Sequence, residues 1–273
     1  MRKRIAIMTA LVILLFSLLS VTAYAADISM SVYVDGEQAI DNGLAFFIDE
    51  EAYVPVRELS IAMGATTISL DEEQTTAYVV ADGLEFTVSE DALYMVANGR
   101  YLYMENGCKF QNDRLMVPVS VLCKAFGAEY SWDGTTRIMD ITLTNEPVTP
   151  GSEFYNSDDL YWLSRIIYAE SGNQPLDGKI AVGNVILNRV ASSRFPNSIY
   201  GVIFDGIQFS PTLNGSIYNS PSEQAVVAAK LVLDGAVVLD NALFFTASYC
   251  AASSWAGQNR PFVTQIGDHC FYS

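Results

Sequence analysis

Apolar and polar positions change rhythm near the middle of the chain. Up to about residue 144 they alternate in short runs such as SVYVDG and ALYMVANGRYLYM, the period of half-buried strands. From Leu160 the period lengthens, and Leu160, Leu163, Ile166 and Ile167 predict a helix. A second helix is predicted over NQPLDGKIAVGNVILNRV (173–190), with Ile180, Val182, Val185 and Ile186 as core and Asn188-Arg189 closing it. A third is predicted over SEQAVVAAKLVLDG (222–235). NEPVTPGSEFYNSD (145–158), rich in Pro, Gly, Ser and acids, reads as a linker between domains at 26–144 and 159–273.

The alternating half contains a repeat. VPVRELSIAMGA (54–65) and VPVSVLCKAFGA (117–128) agree at seven of twelve positions, and each runs on into a polar, strand-like segment. Each copy reads as a strand, a short helix entered at Val-Pro, a Gly stop and a hairpin. Asn98-Gly99 and Asp133-Gly134 are hairpin-turn signals. Two such units predict a small α+β module.

The ends and the charge narrow the class. MRKR, the apolar run Ile5–Leu19 and Ala23-Tyr24-Ala25 read as a secretory signal peptide over 1–25, with an uncut membrane anchor as the rival. Secretion or an envelope location is expected, and no Cys follows the signal to carry a lipid. Without Arg2, Lys3 and Arg4, 12 basic residues face 31 acidic ones, a net charge of −19. Such a surface repels nucleic acid. Residues 26–146 hold 6 basic and 21 acidic side chains against 6 and 10 in the remainder, which points to two domains with different roles. Pairing within each half, Cys108 with Cys123 and Cys250 with Cys270, is the disulfide expectation for an exported chain; buried free thiols are the alternative. One His in the chain, His269, excludes a multi-His zinc site, and no metal or other cofactor is implied.

One acid stands out. Glu170 lies seven residues after Leu163 and three after Ile167, on the apolar stripe of its helix. A carboxyl group there is partly desolvated, which favours the protonated form that a general acid needs. A helix-end Glu with a packed stem and a wet head fits the spacing equally well. Asn188 is read either as a hydrogen-bond partner reaching toward the Glu170 end or as an ordinary helix cap. Ser171-Gly172 reads as a bend that opens room beside the acid.

Two resemblances add to these readings. The VPVR…L…A…GA pattern across 30–144 resembles the copper amine oxidase N-terminal domain, a stalk-like module of exported bacterial proteins. It implies a spacer or a binder of an envelope component; the absence of His there excludes an imidazole copper site. AES-G-xx-P-xx-G-xx-AVGNVILNRV, FPNSIYGVIF, QFSP, ALFF and IGDHCF follow in order from about Asp159 to the end. Together they resemble the cell wall hydrolase family typified by the spore-cortex-lytic enzymes (SleB/CwlJ-like). The fold implied is an α+β N-terminal repeat module plus a mainly α, lysozyme/lytic-transglycosylase-like C-terminal domain.

The second resemblance also implies chemistry: cleavage of peptidoglycan glycan strands, of spore cortex or vegetative wall, with Glu170 as the catalytic acid. Gln208, Phe209 and Ser210 are placed at the cleft, offering an amide, a ring and a hydroxyl to a sugar. Tyr168 and Trp255 are candidates for stacking on sugar faces. Relatives carry a Tyr/Phe-Asn-Pro element where this chain reads TASYCAASSWAG, so Thr246 and Ser248 are candidates to replace the lost Asn. His269 is read as structural. Asp177, Asp205 and Asp268 fall where turn and capping roles suffice, so a single-acid route suits the chain better than a carboxylate pair. The rival readings are a thiol peptidase using Cys250 and His269, and a wall- or spore-binding scaffold without activity.

Overall fold

The computed structural model describes residues 29–73, 75–206 and 208–273; the expected signal segment lies outside them. The first half begins with strands β1 (Ser29–Val34), β2 (Glu37–Ile48) and β3 (Glu51–Pro55), helix α1 (Val56–Ala62), β4 (Thr67–Leu70) and β5 (Thr76–Ala81). It continues through β6 (Leu84–Ser89), β7 (Tyr94–Ala97), β8 (Arg100–Tyr103), β9 (Lys109–Gln111) and β10 (Arg114–Pro118). Helix α2 (Val119–Phe126), β11 (Ala128–Asp133) and β12 (Ile138–Leu143) complete it.

The two repeat copies are β3-α1-β4-β5 and β10-α2-β11-β12, and they meet where β3 pairs antiparallel with β10, Val54 opposite Val117. Pro55 and Pro118 are the N-caps, one residue earlier than the first helical turn, where their missing N–H leaves nothing unsatisfied. Gly127 ends α2 in the left-handed region that a side chain resists. Asn98 and Gly99 both take positive φ in the tight turn joining β7 to β8. The copies then diverge. β4-β5 opens a five-stranded sheet, β4-β5-β6-β7-β8, whereas β11-β12 edges a seven-stranded one, β11-β12-β1-β2-β3-β10-β9. Both sheets and both helices share one apolar core, including Val32, Val54, Leu59, Phe86, Leu102 and Leu122.

The expected linker is folded. It holds a helical turn, α3 (Gly151–Phe154). The Val148 amide donates to the Ala125 carbonyl, the Gly151 amide donates to the Asn98 carbonyl, and the Asn98 side chain donates to the Val148 carbonyl. Helix α4 (Ser157–Ser171) follows, capped by Asn156, whose side chain accepts from the amides of Asp158 and Asp159. Helices α5 (Leu176–Ala191), α6 (Ile199–Ile203), α7 (Ser210–Asn214) and α8 (Glu223–Leu233) come next. The tail contains β13 (Phe244–Ala247), α9 (Trp255–Asn259), β14 (Phe262–Ile266) and β15 (His269–Tyr272), in a small sheet of order β13-β15-β14. The second half is therefore mainly helical with a three-stranded sheet at its end. Among the described residues no helix is long and apolar enough to cross a membrane.

The cysteine pairing expected from the sequence is corrected: Cys108, Cys123, Cys250 and Cys270 are all free thiols. Cys108 and Cys123 pack as small apolar groups in the N-terminal core, and burial pushes both thiols up to about 12. The Cys250 thiol is engaged instead by the Thr246 hydroxyl, at 3.2 Å, and the Ala247 carbonyl, at 3.3 Å.

The two halves are joined at a buried acid just past α8. Asp234 accepts both Arg100 Nε and Arg100 Nη2 at 2.8 Å, and Lys124 Nζ lies 2.6 Å from the Oδ1 that Nη2 also reaches. The Tyr155 hydroxyl donates to Asp234 at 3.3 Å and accepts the Tyr101 amide at 3.0 Å. Tyr103 donates to Asp177 in the first turn of α5. The N-terminal module thus reaches across to the helical domain through the β7-β8 hairpin and α2.

Candidate active site

Helices α4, α5 and α8 pack closely around Gly183. A Cβ on Gly183 of α5 would sit 2.7 Å from Val232 of α8 and 3.1 Å from Ile167 of α4, so glycine is what lets the three helices close. Leu163, Ile166 and Ile167 are fully buried in that contact, and Glu170 follows them on the same stripe. Burial alone raises the Glu170 carboxyl from 4.5 to about 7; no neighbouring charge contributes. The helix does not bend at Ser171-Gly172. Ser171 is still helical and buried, its hydroxyl donating to the Ile167 carbonyl. Gly172 is needed because a Cβ there would come within 2.7 Å of the Tyr168 carbonyl.

Glu170 opens onto a cleft of about 940 Å³. Asn173 and Gln174 continue its wall from the α4-α5 turn, Gln208, Phe209 and Ser210 come from the start of α7, and Phe244–Tyr249 come from β13 and the turn after it. Ser254–Ala256, Asp268 and His269 complete the lining. The wall is braced by a short relay. Buried Lys179 donates to the Gln174 carbonyl, and the Gln174 side chain accepts the Asp268 amide at 2.8 Å while donating to the Asp268 carboxylate at 3.2 Å. Burial lowers the Lys179 pKa.

Glu170, Gln208, Phe209, Ser210, Thr246, Ser248 and Trp255 of the sequence reading are thus brought to one cleft. Tyr168 and Asn188 are not. Tyr168 packs against the helical core. Asn188 donates to the Ala242 carbonyl at 3.1 Å and to the Leu239 carbonyl at 3.5 Å, rather than to Glu170 or to a carbonyl of its own helix end. Its partners lie more than fifty residues away, and no local pattern announces them. His269 is 8% exposed, packed against Phe245 and Phe271, and burial lowers its pKa. No hydrogen bond links it to Cys250, whose thiol is occupied as described, so the thiol–imidazole pair of a cysteine peptidase is not assembled.

The sequence reading missed Gln174, Tyr249 and Arg189. Tyr249 is 92% exposed at the cleft rim, and nothing in its small-residue surroundings marks it. Arg189 carried a signal that was passed over. Val182, Val185, Ile186 and Arg189 repeat the spacing of Leu163, Ile166, Ile167 and Glu170, so an apolar stripe also ends on a charge in α5. Among the described residues no cluster of His, Cys, Asp or Glu could hold a metal ion.

Residues 173–272 match the Cell Wall Hydrolase family, and residues 33–141 match the Copper amine oxidase N-terminal domain. The first match begins three residues after Glu170. Over 117 residues, 43% of this chain, the sequence is 38% identical to the spore cortex-lytic enzyme of Bacillus cereus and 35% identical to that of Bacillus subtilis. These stretches are 45% and 38% of the relatives, so the chain spans less than half the length of the curated proteins it matches. Among solved structures, the catalytic domain of the Bacillus cereus SleB protein is 37% identical, with 44% of this chain and 92% of that one covered, at a TM-score of 0.41. The catalytic domain of the germination-specific lytic transglycosylase SleB from Bacillus anthracis is 36% identical, with coverage of 46% and 100%, also at 0.41.

Proposed function

We propose that this chain, whose C-terminal half belongs to the cell wall hydrolase family and whose N-terminal half is a copper amine oxidase N-terminal domain, cleaves the glycan strand of peptidoglycan in the spore cortex, with Glu170 as its acid. The observation that carries the reading is a carboxyl group held near pKa 7 by burial and opening onto a cleft lined with amides, hydroxyls and aromatic rings. Aromatic faces and short polar groups are what a sugar ring needs, and a carboxyl still half protonated at neutral pH is what a glycosidic oxygen needs.

In the reaction, protonated Glu170 donates to the oxygen joining N-acetylmuramic acid to N-acetylglucosamine. The C1–O bond breaks, the N-acetylglucosamine hydroxyl leaves, and the muramyl carbon takes oxocarbenium character, shielded by its own 2-acetamido group. Glu170, now a carboxylate, accepts the proton of the C6 hydroxyl as that oxygen closes on C1, giving a 1,6-anhydro end. Asp268 also lines the cleft, but it leaves no imprint on the Glu170 carboxyl and is held by Gln174. A paired carboxylate about 5 Å away, as in retaining glycosidases, would show such an imprint. This difference supports the single-acid transglycosylase route over a retaining carboxylate pair.

Digestion of purified cortex peptidoglycan, followed by mass spectrometry, tests the reaction. Anhydro-muramyl ends are expected. Reducing muramyl ends alone would replace transglycosylation by hydrolysis, and release of stem peptides alone would overturn the glycan reading.

A further inference from the structure

Acid catalysis by Glu170 has no use for the rings at the rim of the cleft. Two of them, Tyr249 and Trp255, come from the stretch between β13 and β14, and both line the cleft that Glu170 opens onto. Tyr249 is 92% exposed and Trp255 57% exposed. A single exposed ring is ordinary on a protein surface. Tyr249 differs in the backbone beneath it, which is tied down on both sides. The Ser248 amide donates to the Asp268 carbonyl at 2.8 Å, and the Cys250 thiol is engaged by Thr246 and the Ala247 carbonyl. The Cys250 carbonyl accepts the Ser253 hydroxyl at 3.1 Å and the Ser254 amide at 2.9 Å. A Cβ on Gly257 would fall 1.9 Å from the Ala251 carbonyl oxygen, so glycine is what lets this segment fold back on itself. Trp255 is fixed through its ring: Phe244 meets it edge-on, 5.5 Å between centroids, and the Arg260 guanidinium lies 5.0 Å away.

An apolar ring left in water gains nothing from folding. It gains when a flat apolar face arrives to cover it. Tyrosine offers such a face with only two side-chain torsions to freeze, and a tied backbone lowers the ordering cost further. The C–H side of a pyranose is a face of that kind, and its hydroxyls stay in water when it stacks. Glu170 is half-buried while Tyr249 stands almost wholly in solvent, so a sugar stacked on Tyr249 lies outside the pair whose bond Glu170 protonates. We propose that Tyr249 is a specificity-determining residue, a stacking platform for a further sugar ring of the glycan strand. This rests on the glycan-cleaving reading above and adds a binding position to it.

The test follows cleavage of cortex glycan oligosaccharides, size-fractionated to eight sugars, by wild type and by four variants at Tyr249. The side chain is so exposed that thermal stability is expected to be unchanged in all of them. Tyr249→Ala and Tyr249→Leu, which lack a flat face, are expected to raise KM about tenfold with kcat unchanged, because the lost contact is the same in ground and transition states. Tyr249→Phe and Tyr249→Trp, which keep the face, are expected to match wild type. An unchanged KM in Tyr249→Ala overturns the platform. So does a fall in kcat at constant KM, which would put Tyr249 in the chemistry. A loss in Tyr249→Phe equal to that in Tyr249→Ala overturns it too, by assigning the effect to the phenol hydroxyl. Each of these results leaves the glycan reading standing, whereas failure of the wild type to cleave the octasaccharide removes both.

Discussion

At the scale of the residue, the protein rests on two charges placed at the ends of apolar stripes. The same spacing carries Glu170 out of α4 and Arg189 out of α5. The spacing put Glu170 on an apolar stripe but fitted an ordinary helix-end acid as well; the ordered motifs downstream, through the family resemblance, marked it as the acid. Arg189 was not read, because a cation in a last helical turn already has an ordinary use, stabilising the negative end of the helix. Asn188 was misread for a related reason: its partners lie on a loop that only the tertiary fold brings near.

The raised carboxyl of Glu170 makes a stability prediction. Below about pH 4.5 both folded and unfolded chains hold the proton, and the residue contributes nothing. Between 4.5 and 7 the unfolded chain releases its proton while the folded one keeps it, so stability falls as pH rises; above 7 the penalty is complete. Glu170→Gln is therefore expected to match the wild type near pH 4.5 and to exceed it by up to about 3 kcal/mol at pH 8, as read by urea unfolding. Glycan cleavage by the wild type is expected to fall as pH rises through about 7, because the acid is lost.

At the scale of the element, the two repeat copies were legible down to their helix starts and glycine stops, since these are local rules. Their different fates were not. One hairpin edges the five-stranded sheet, while the other lies parallel to β1, a pairing across more than a hundred residues that no periodicity encodes. The small β13-β15-β14 sheet was hidden similarly: its strands are short and separated by turns, and the resemblance led the expectation toward helices. Gly183 is where element packing is most exposed to test. Gly183→Ala adds a methyl against Val232 and Ile167. Overpacking costs about 1–3 kcal/mol, against which alanine's better helix propensity returns up to about 1 kcal/mol. A net loss of up to about 2 kcal/mol is expected in thermal unfolding, with reduced cleavage, because α4 carries Glu170.

At the scale of the molecule, charge asymmetry and the repeat point to two domains, and the described residues gather into one large apolar core in each half. What the sequence did not announce is their joining. The stretch expected to be a linker is folded, and Asp234 collects Arg100, Lys124 and Tyr155 from positions 134, 110 and 79 residues away. Such distant pairs leave no pattern in the chain. Asp234→Ala would strand the Arg100 guanidinium in a buried site, and removing one partner of a buried pair costs about 3–5 kcal/mol. Chemical denaturation is expected to change from one transition to two as the halves uncouple. A single unshifted transition would show that the Asp234 contacts are dispensable.

The central claim is that one half-buried carboxyl, Glu170, performs the cleavage. Release of soluble glycan fragments from purified cortex peptidoglycan by wild type and Glu170→Gln at pH 6 tests it most directly. A drop of about 10²–10⁴-fold, the usual worth of a general acid, is expected in a variant whose fold and thermal stability are intact. Release by Glu170→Gln at a rate comparable to wild type would contradict the account.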